Sequence, residues 1–442
     1  MTARARRFAA EHETPLAIWL ALRVGLSLLA LMAGLYLPSH TPQGTAPYHL
    51  PPAPALWDRL VGVWAHWDGL WYLQIASSGY RPGDGTTAFF PLYPWAVGAF
   101  GALLGGRYLL AGVVLSSLIF AGVLLLLYRL VSEQYPEGTA SRAVLYLAIF
   151  PTAFFFWAVY SEGLFLLLAL GMFYAASHRR WLPAGLCLAA ALWTRPFGVV
   201  LLPCLLLEAV SRQLSAISYQ PSAFSGRWSV VSGQPRFFAA LRMTVGRLRM
   251  TVGPHSALRS PHSALRTTFC VLLLPLAAAG GLLAWSGLAL GDPVAFLTTQ
   301  AEWNRAFSLP WNTVVNAFKA AADTRFAYQE ENQSWFYLAT LLLFGGLAVA
   351  GWVSRGGGES YRPLLRPSHA LYLTLGLLFP LLSATPRNPL LSLPRFALVL
   401  FPAFILMARA GRRPWLHYVI LAVSLLLLGL YTIRFANWFW VA

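Results

Sequence analysis

The sequence predicts an all-α polytopic membrane protein with about 11 transmembrane helices and interfacial helices in its first outer loop. Three observations carry that expectation. Of 442 residues, 58% are hydrophobic and only 11% charged, too few polar groups to cover a soluble protein of this size. Apolar runs recur at roughly the 20 residues needed to cross a bilayer. The net charge of +17 lies in short Arg clusters between those runs, as the positive-inside bias requires. The same clustering argues against a nucleic-acid partner, because no continuous basic face is built.

The elements follow in order. Arg4, Arg6 and Arg7 precede a first span from Pro15 to Leu37. It is too long for a cleaved leader and lacks a small-residue cleavage site, so it reads as a retained signal anchor with the amino terminus inside. Residues 38–107 form the first outer loop, carrying one or two amphipathic helices along the surface. Within it, 91–105 is short and interrupted by Pro and Gly, the pattern of an interfacial or re-entrant helix. Tyr108 to Tyr128 returns inward. Spans at Ala143 to Val159 and Gly163 to Ala176 turn outside at Tyr160-Ser161-Glu162. A shorter pair, Trp181 to Trp193 and Phe197 to Leu207, is broken at Thr194-Arg195-Pro196, since proline disfavours helix in the residue before it.

Residues 1–210 thus form an amino-terminal transmembrane core. The stretch 211–268 contains eight Arg and no acid, with Leu-Arg-Met-Thr-Val-Gly at 241–246 repeated at 248–253 and Pro-His-Ser-Ala-Leu-Arg at 254–259 repeated at 261–266. It reads as a basic, disordered cytoplasmic insertion. Residues 269–442 supply the remaining helices. These are spans at Phe269 to Leu290, Trp335 to Val353 and Ala370 to Leu382, a second outer loop at 291–334, and a last span ending outside at Trp438-Phe439-Trp440. With this topology 21 Arg fall inside and 10 basic residues outside, which places the protein in the cell (inner or plasma) membrane as a multi-pass chain. Thirty-one of the 32 basic residues are Arg, a skew of GC-rich bacterial coding. Cys187, Cys204 and Cys270 sit in apolar runs without ligand spacing and read as core residues, so neither a metal site nor a resident cofactor is indicated.

The chemistry concentrates at His66-Trp67-Asp68-Gly69-Leu70-Trp71-Tyr72 and Tyr80, just past the first span. Asp68 reads structurally as the cap of an interfacial helix, and its aromatic neighbours as an anchoring belt. Functionally, an outward carboxylate suits a general base for an attacking hydroxyl. Outer arginines suit a leaving phosphate, which is already a stable anion and needs no general acid. Glycosyl transfer from a polyprenyl-phosphate sugar to a lipid or glycan acceptor on the outer face uses all of these. In that reading Asp68 is the base, and Arg395, Arg195 and Arg305 hold the donor phosphate. His66, Trp67, Trp71, Tyr72, Tyr80, Glu162, Gln300 and Trp303 contact substrate. A transporter or flippase of lipid-linked saccharides is the alternative, but repeated halves and mid-span polar residues are not seen. A third reading is a transferase of the same fold that uses another sugar.

The run HWDGLWYLQIASSGY followed by AFFPLYP resembles the signature of the PIG-V family, the GPI mannosyltransferase II group and its prokaryotic relatives. The segments PTAFFFWAVYSEGLF, Thr194-Arg195-Pro196 and SLPRFALVLFPAF extend the resemblance to most of the chain outside 211–268. It implies a GT-C-like fold with the site in the first outer loop, an inverting mechanism, a polyprenyl-phosphate mannose donor, and Asp68 as the base. The chain departs from the family pattern in having only Asp84 between the two first-loop motifs. A bacterium has no GPI anchor, so the acceptor does not carry over.

Overall fold

A computed structural model of the chain describes residues 3–40, 55–218, 267–302, 305–322, 333–355, 362–386 and 388–441. Most of the 211–268 insertion, together with Trp303 and Arg387, lies outside the described residues. The fold is helical. In the first half it runs α1 (Ala3–Tyr36), α2 (Ala55–Leu60), α3 (Asp68–Ser78), α4 (Leu92–Leu103), α5 (Tyr108–Gln134), α6 (Thr139–Ala148), α7 (Glu162–Ser177), α8 (Trp181–Thr194) and α9 (Leu201–Ser218). The second half has α10 (Leu274–Leu290), α11 (Ala295–Glu302), α12 (Pro310–Ala322), α13 (Ser334–Trp352), α14 (Pro367–Leu381), α15 (Leu393–Leu398), α16 (Phe401–Ala410) and α17 (Pro414–Ala436). Among the described residues five helical stretches are long and apolar enough to cross a membrane: His12–Tyr36, Tyr108–Gln134, Phe269–Leu290, Ser334–Trp352 and Pro414–Ala436. The helices α4, α7, α8 and α16 are apolar but shorter.

Placement within the bundle follows apolar patterning. Helix α5 packs against α1, α4, α6 and α7, so much of its circumference is buried. By contrast α1, α10, α13 and α17 present exposed Leu20, Leu28, Leu288, Val349 and Leu426, an apolar surface suited to lipid contact rather than water.

The centre is not where an uninterrupted span was expected. Residues 146–163 are buried without a break, yet α6 stops at Ala148 and a 3₁₀ turn follows at Ala153–Phe156. Pro151 is the physical cause: it lacks an N–H and disfavours helix at Phe150. Irregular backbone this deep persists only where other protein groups satisfy it. Here the Val159 N–H donates to the Trp64 carbonyl at 2.8 Å and the Thr152 hydroxyl donates to the Pro394 carbonyl at 3.2 Å. The interruption therefore ties the first-loop turn and the α15 region to one buried hub.

Two short antiparallel ladders complete the fold, β1 (Ala306–Phe307) with β4 (Ser383–Ala384), and β2 (Ser354–Arg355) with β3 (Arg362–Pro363). The first pairs Ala306 with Ala384 and Phe307 with Ser383. It holds the segment after α11 against the chain leaving α14.

Candidate active site

Three chain breaks bring the charged residues together. A 3₁₀ turn at Gly62–Ala65 ends before α3, and Trp67 joins the two with φ 57° and ψ −120°, so Asp68 opens the first turn of α3. Tyr160 fixes that corner, since its hydroxyl donates to the His66 carbonyl at 3.1 Å and accepts the Asp68 N–H at 3.2 Å. Glu162 begins α7 two residues later, where the helix N-terminus favours a carboxylate. Pro196 ends α8, leaving Arg195 extended at φ −158° and ψ 151°. Pro394, in the first turn of α15, starts that short helix and carries Arg395 on it.

The result is a chain of four charges, Glu162 and Arg395 buried and Asp68 and Arg195 partly so. Glu162 is fully buried, and its Oε1 meets Arg195 Nη1 at 2.7 Å, Arg395 Nη2 at 2.8 Å and Arg395 Nε at 2.9 Å. The remaining Arg395 nitrogen, Nη1, donates to Asp68 Oδ2 at 2.7 Å. The Arg395 guanidinium also lies 4.8 Å from the Tyr160 ring centroid and 5.0 Å from that of Phe155. Burying such a network is costly, and removing one member strands the others at about 3–5 kcal/mol. This charge cluster is therefore a poor way to gain stability alone.

Beside the network lies a cavity of about 120 Å³ lined by Asp68, Ala88, Phe89, Arg305, Leu391, Ser392, Arg395 and Trp440. Arg305 reaches it because the β1–β4 ladder begins at the next residue. The ladder is secured by the Ser308 N–H donating to the Leu382 carbonyl at 3.0 Å and the Thr313 hydroxyl to the Leu381 carbonyl at 2.8 Å. No carboxylate pairs with Arg305 among the described residues. Burial, and then neighbouring Arg395, push its guanidinium below the ordinary arginine value. Three arginines thus face two carboxylates, and an anion in the cavity would relieve the excess.

Backbone strain gathers at the same place. Among the described residues four non-glycines have positive φ: Trp67, Arg179, Ser392 and Trp438. Trp67 precedes Asp68, Ser392 lines the cavity, and Trp438 stacks on His66 with ring centroids 3.7 Å apart. Strain of this kind persists only where its surroundings over-determine it, commonly at binding sites.

The structure brings Asp68, Glu162, Arg195, Arg395 and Arg305 together, but distributes them differently from the sequence expectation. Arg195 and Arg395 are both engaged by carboxylates, whereas Arg305 has no carboxylate partner among the described residues. Glu162 lies behind Arg395 and does not line the cavity. Nor do the expected contacts His66, Trp67, Trp71, Tyr72 and Tyr80 line it. His66 is buried and donates its Nδ1–H to the Phe435 carbonyl at 3.0 Å; burial lowers its pKa to about 4, against the raising effect of that carbonyl. Trp67 packs on Trp438 and Trp440, and Trp71 stacks on Phe89. Tyr72 bonds the Ser161 hydroxyl at 2.8 Å, and Tyr80 donates to the Phe89 carbonyl at 2.7 Å. Gln300 belongs to α11, with its side chain outside the described residues, as is all of Trp303. The aromatic walls are instead Phe89 and Trp440, and Ser392 supplies a hydroxyl. In the sequence Ser392 only opens the SLPRFALVLFPAF segment, and nothing there singles it out. Among the described residues no three His, Cys, Asp or Glu side chains converge as a metal-ligand set.

Residues 19–222 match the family model described as Mannosyltransferase (PIG-V). GPI mannosyltransferase 2 of Drosophila melanogaster is 32% identical over 214 residues, covering 43% of this chain and 46% of that protein. Its counterpart in Drosophila pseudoobscura pseudoobscura is 35% identical over 176 residues, covering 35% and 38%. The chain therefore spans less than half the length of the curated relatives it matches. Two solved structures of the Archaeoglobus fulgidus oligosaccharyltransferase align over 95% of this chain and 55% of theirs. One is tethered to an acceptor peptide, at 13% identity and TM-score 0.37; the other holds an inhibitory peptide and a dolichol-phosphate, at 14% and 0.31. Likeness at that level carries no argument.

Proposed function

We propose, on the PIG-V match over residues 19–222, that the chain is a membrane glycosyltransferase moving a mannosyl group from a polyprenyl-phosphate donor to a lipid or glycan hydroxyl. The observation that carries this reading is the shared cavity, which Asp68 lines together with Arg305, a cation with no carboxylate partner among the described residues. A carboxylate to take a proton and a cation to receive a phosphate lie on the walls of one space.

The steps follow from those positions. Arg395 holds Asp68 Oδ2, while Oδ1 has no hydrogen-bond partner among the described residues. Oδ1 accepts the proton of the acceptor hydroxyl as its oxygen bonds to the anomeric carbon of the sugar. The bond from that carbon to the phosphate oxygen breaks on the opposite face, which inverts the configuration. The polyprenyl phosphate leaves as an anion against Arg305. Phe89 and Trp440 offer ring faces to the sugar. In the topology expected from the Arg distribution, the site opens on the outer face of the cell membrane.

Purified protein incubated with polyprenyl-phosphate mannose and membrane lipid extract should yield mannosylated product by mass spectrometry, and Asp68→Asn should reduce turnover by about 10²–10⁴-fold. Full turnover in Asp68→Asn removes Asp68 as the base. Movement of labelled donor across vesicles with its glycosidic bond intact would favour the transporter instead.

A further inference from the structure

Glu162 is the one carboxylate of the cluster that touches neither the cavity nor a group able to react. Its Oε1 takes two nitrogens of Arg395, Nε at 2.9 Å and Nη2 at 2.8 Å, and so fixes which edge of the guanidinium remains. Held on that edge, Arg395 reaches Asp68 through Nη1, which engages one carboxylate oxygen. An arginine and a carboxylate otherwise prefer a two-pronged pairing that occupies both oxygens. Arg195 in turn neutralises Glu162 from the far side at 2.7 Å. Its own guanidinium lies 5.5 Å from the Phe396 ring centroid.

From this geometry we infer that Glu162 is a positioning residue that holds Arg395 to a single-pronged contact with Asp68 and so keeps Asp68 Oδ1 open to the acceptor hydroxyl. The inference rests on the reading of Asp68 as the base. The other groups facing Asp68 do not compete for that oxygen. Tyr160 uses its hydroxyl on the Asp68 N–H and the His66 carbonyl. Tyr72 is bonded to Ser161, and Arg305 shows no hydrogen bond to Asp68. Loss of the charge on Glu162 releases Arg395 to swing onto both oxygens of Asp68, which closes the base and leaves the Arg305 side of the cavity in place.

The test is a split between kcat and the donor KM, measured per folded molecule. Glu162→Gln should lower kcat about 100-fold and leave the KM for polyprenyl-phosphate mannose within about two-fold, because the Arg305 side of the cavity is unaltered. The double variant Glu162→Gln/Arg195→Gln removes one charge of each sign, so it should recover folded protein without recovering kcat. A purely structural Glu162 predicts the reverse, with kcat returning alongside the fold. Glu162→Asp keeps the charge but shortens the reach, and its kcat should fall about 10-fold at unchanged KM. Wild-type kcat in any of these folded variants overturns the inference. If Asp68→Asn turns over normally in the same assay, the base assignment itself fails; if Asp68→Asn is inactive while the Glu162 variants are normal, only the positioning role fails.

Discussion

Two buried glutamates anchor ionic clusters at opposite ends of the helices, and only one cluster looks built for a ligand. At one end Glu162, on the first turn of α7, meets Arg395 and Arg195. At the other, Glu208 on α9 meets Arg366 at 3.4 Å and accepts the Ser368 hydroxyl at 2.5 Å. Tyr135 and His369 are bonded beside it at 2.8 Å, and Arg409 nearby donates to the Leu364 carbonyl. The Glu208 pair reaches towards the surface, since Arg366 is partly exposed. The Glu162 cluster adjoins a cavity, carries a surplus cation in Arg305, and sits among three strained backbone positions. A buried ion pair is therefore no sign of a site by itself; the surplus charge beside an open volume is.

Arg395→Gln should test that contrast most severely. It leaves Asp68 and Glu162 facing each other without their shared cation, so activity should fall by at least about 10³-fold and stability by about 3–5 kcal/mol, read by assay and thermal unfolding. Glu208→Gln should cost about 1–3 kcal/mol while kcat per folded molecule stays within about two-fold; a large loss of kcat there would erase the distinction between the two ends. Arg305→Gln should raise the donor KM about 10-fold or more, the scale of one charge-assisted hydrogen bond. Its melting temperature should stay within about 1 °C, because no carboxylate is stranded. Arg179 supplies the smallest effect. It has positive φ at the end of α7, where the Arg180 N–H closes back on the Ala175 carbonyl at 2.9 Å, an ordinary helix cap that favours glycine. Arg179→Gly should stabilise by about 0.5–1 kcal/mol without altering turnover.

Much of this arrangement was legible beforehand, because long apolar runs and proline stops are local signals. Pro196 marks the turn carrying Arg195, and the length of α1, α5 and α17 is visible as membrane-spanning hydrophobicity. Pro151 carried the same kind of signal, but the apolarity of residues 143–159 masked it. Asp68 stood out as an acid among aromatics. What could not be read was which arginine answers which carboxylate, since Arg395 and Glu162 are 233 positions apart and their pairing depends on the tertiary hub at 146–163. For the same reason Phe89 and Trp440 were not among the expected substrate contacts, while His66, Trp71 and Tyr72, nearer the acid in sequence, turn into the packing behind it.

The four-residue β1–β4 ladder delivers Arg305 by a strap laid over the bundle, whereas Asp68, Glu162 and Arg395 ride on helices. Straps tolerate insertion, trimming and substitution on either side at little entropic penalty, so long as the paired residues keep their register. The reach of that third cation is thus the most evolvable dimension of the pocket. A longer or shorter strap would shift Arg305 across the pocket and leave the helical framework untouched.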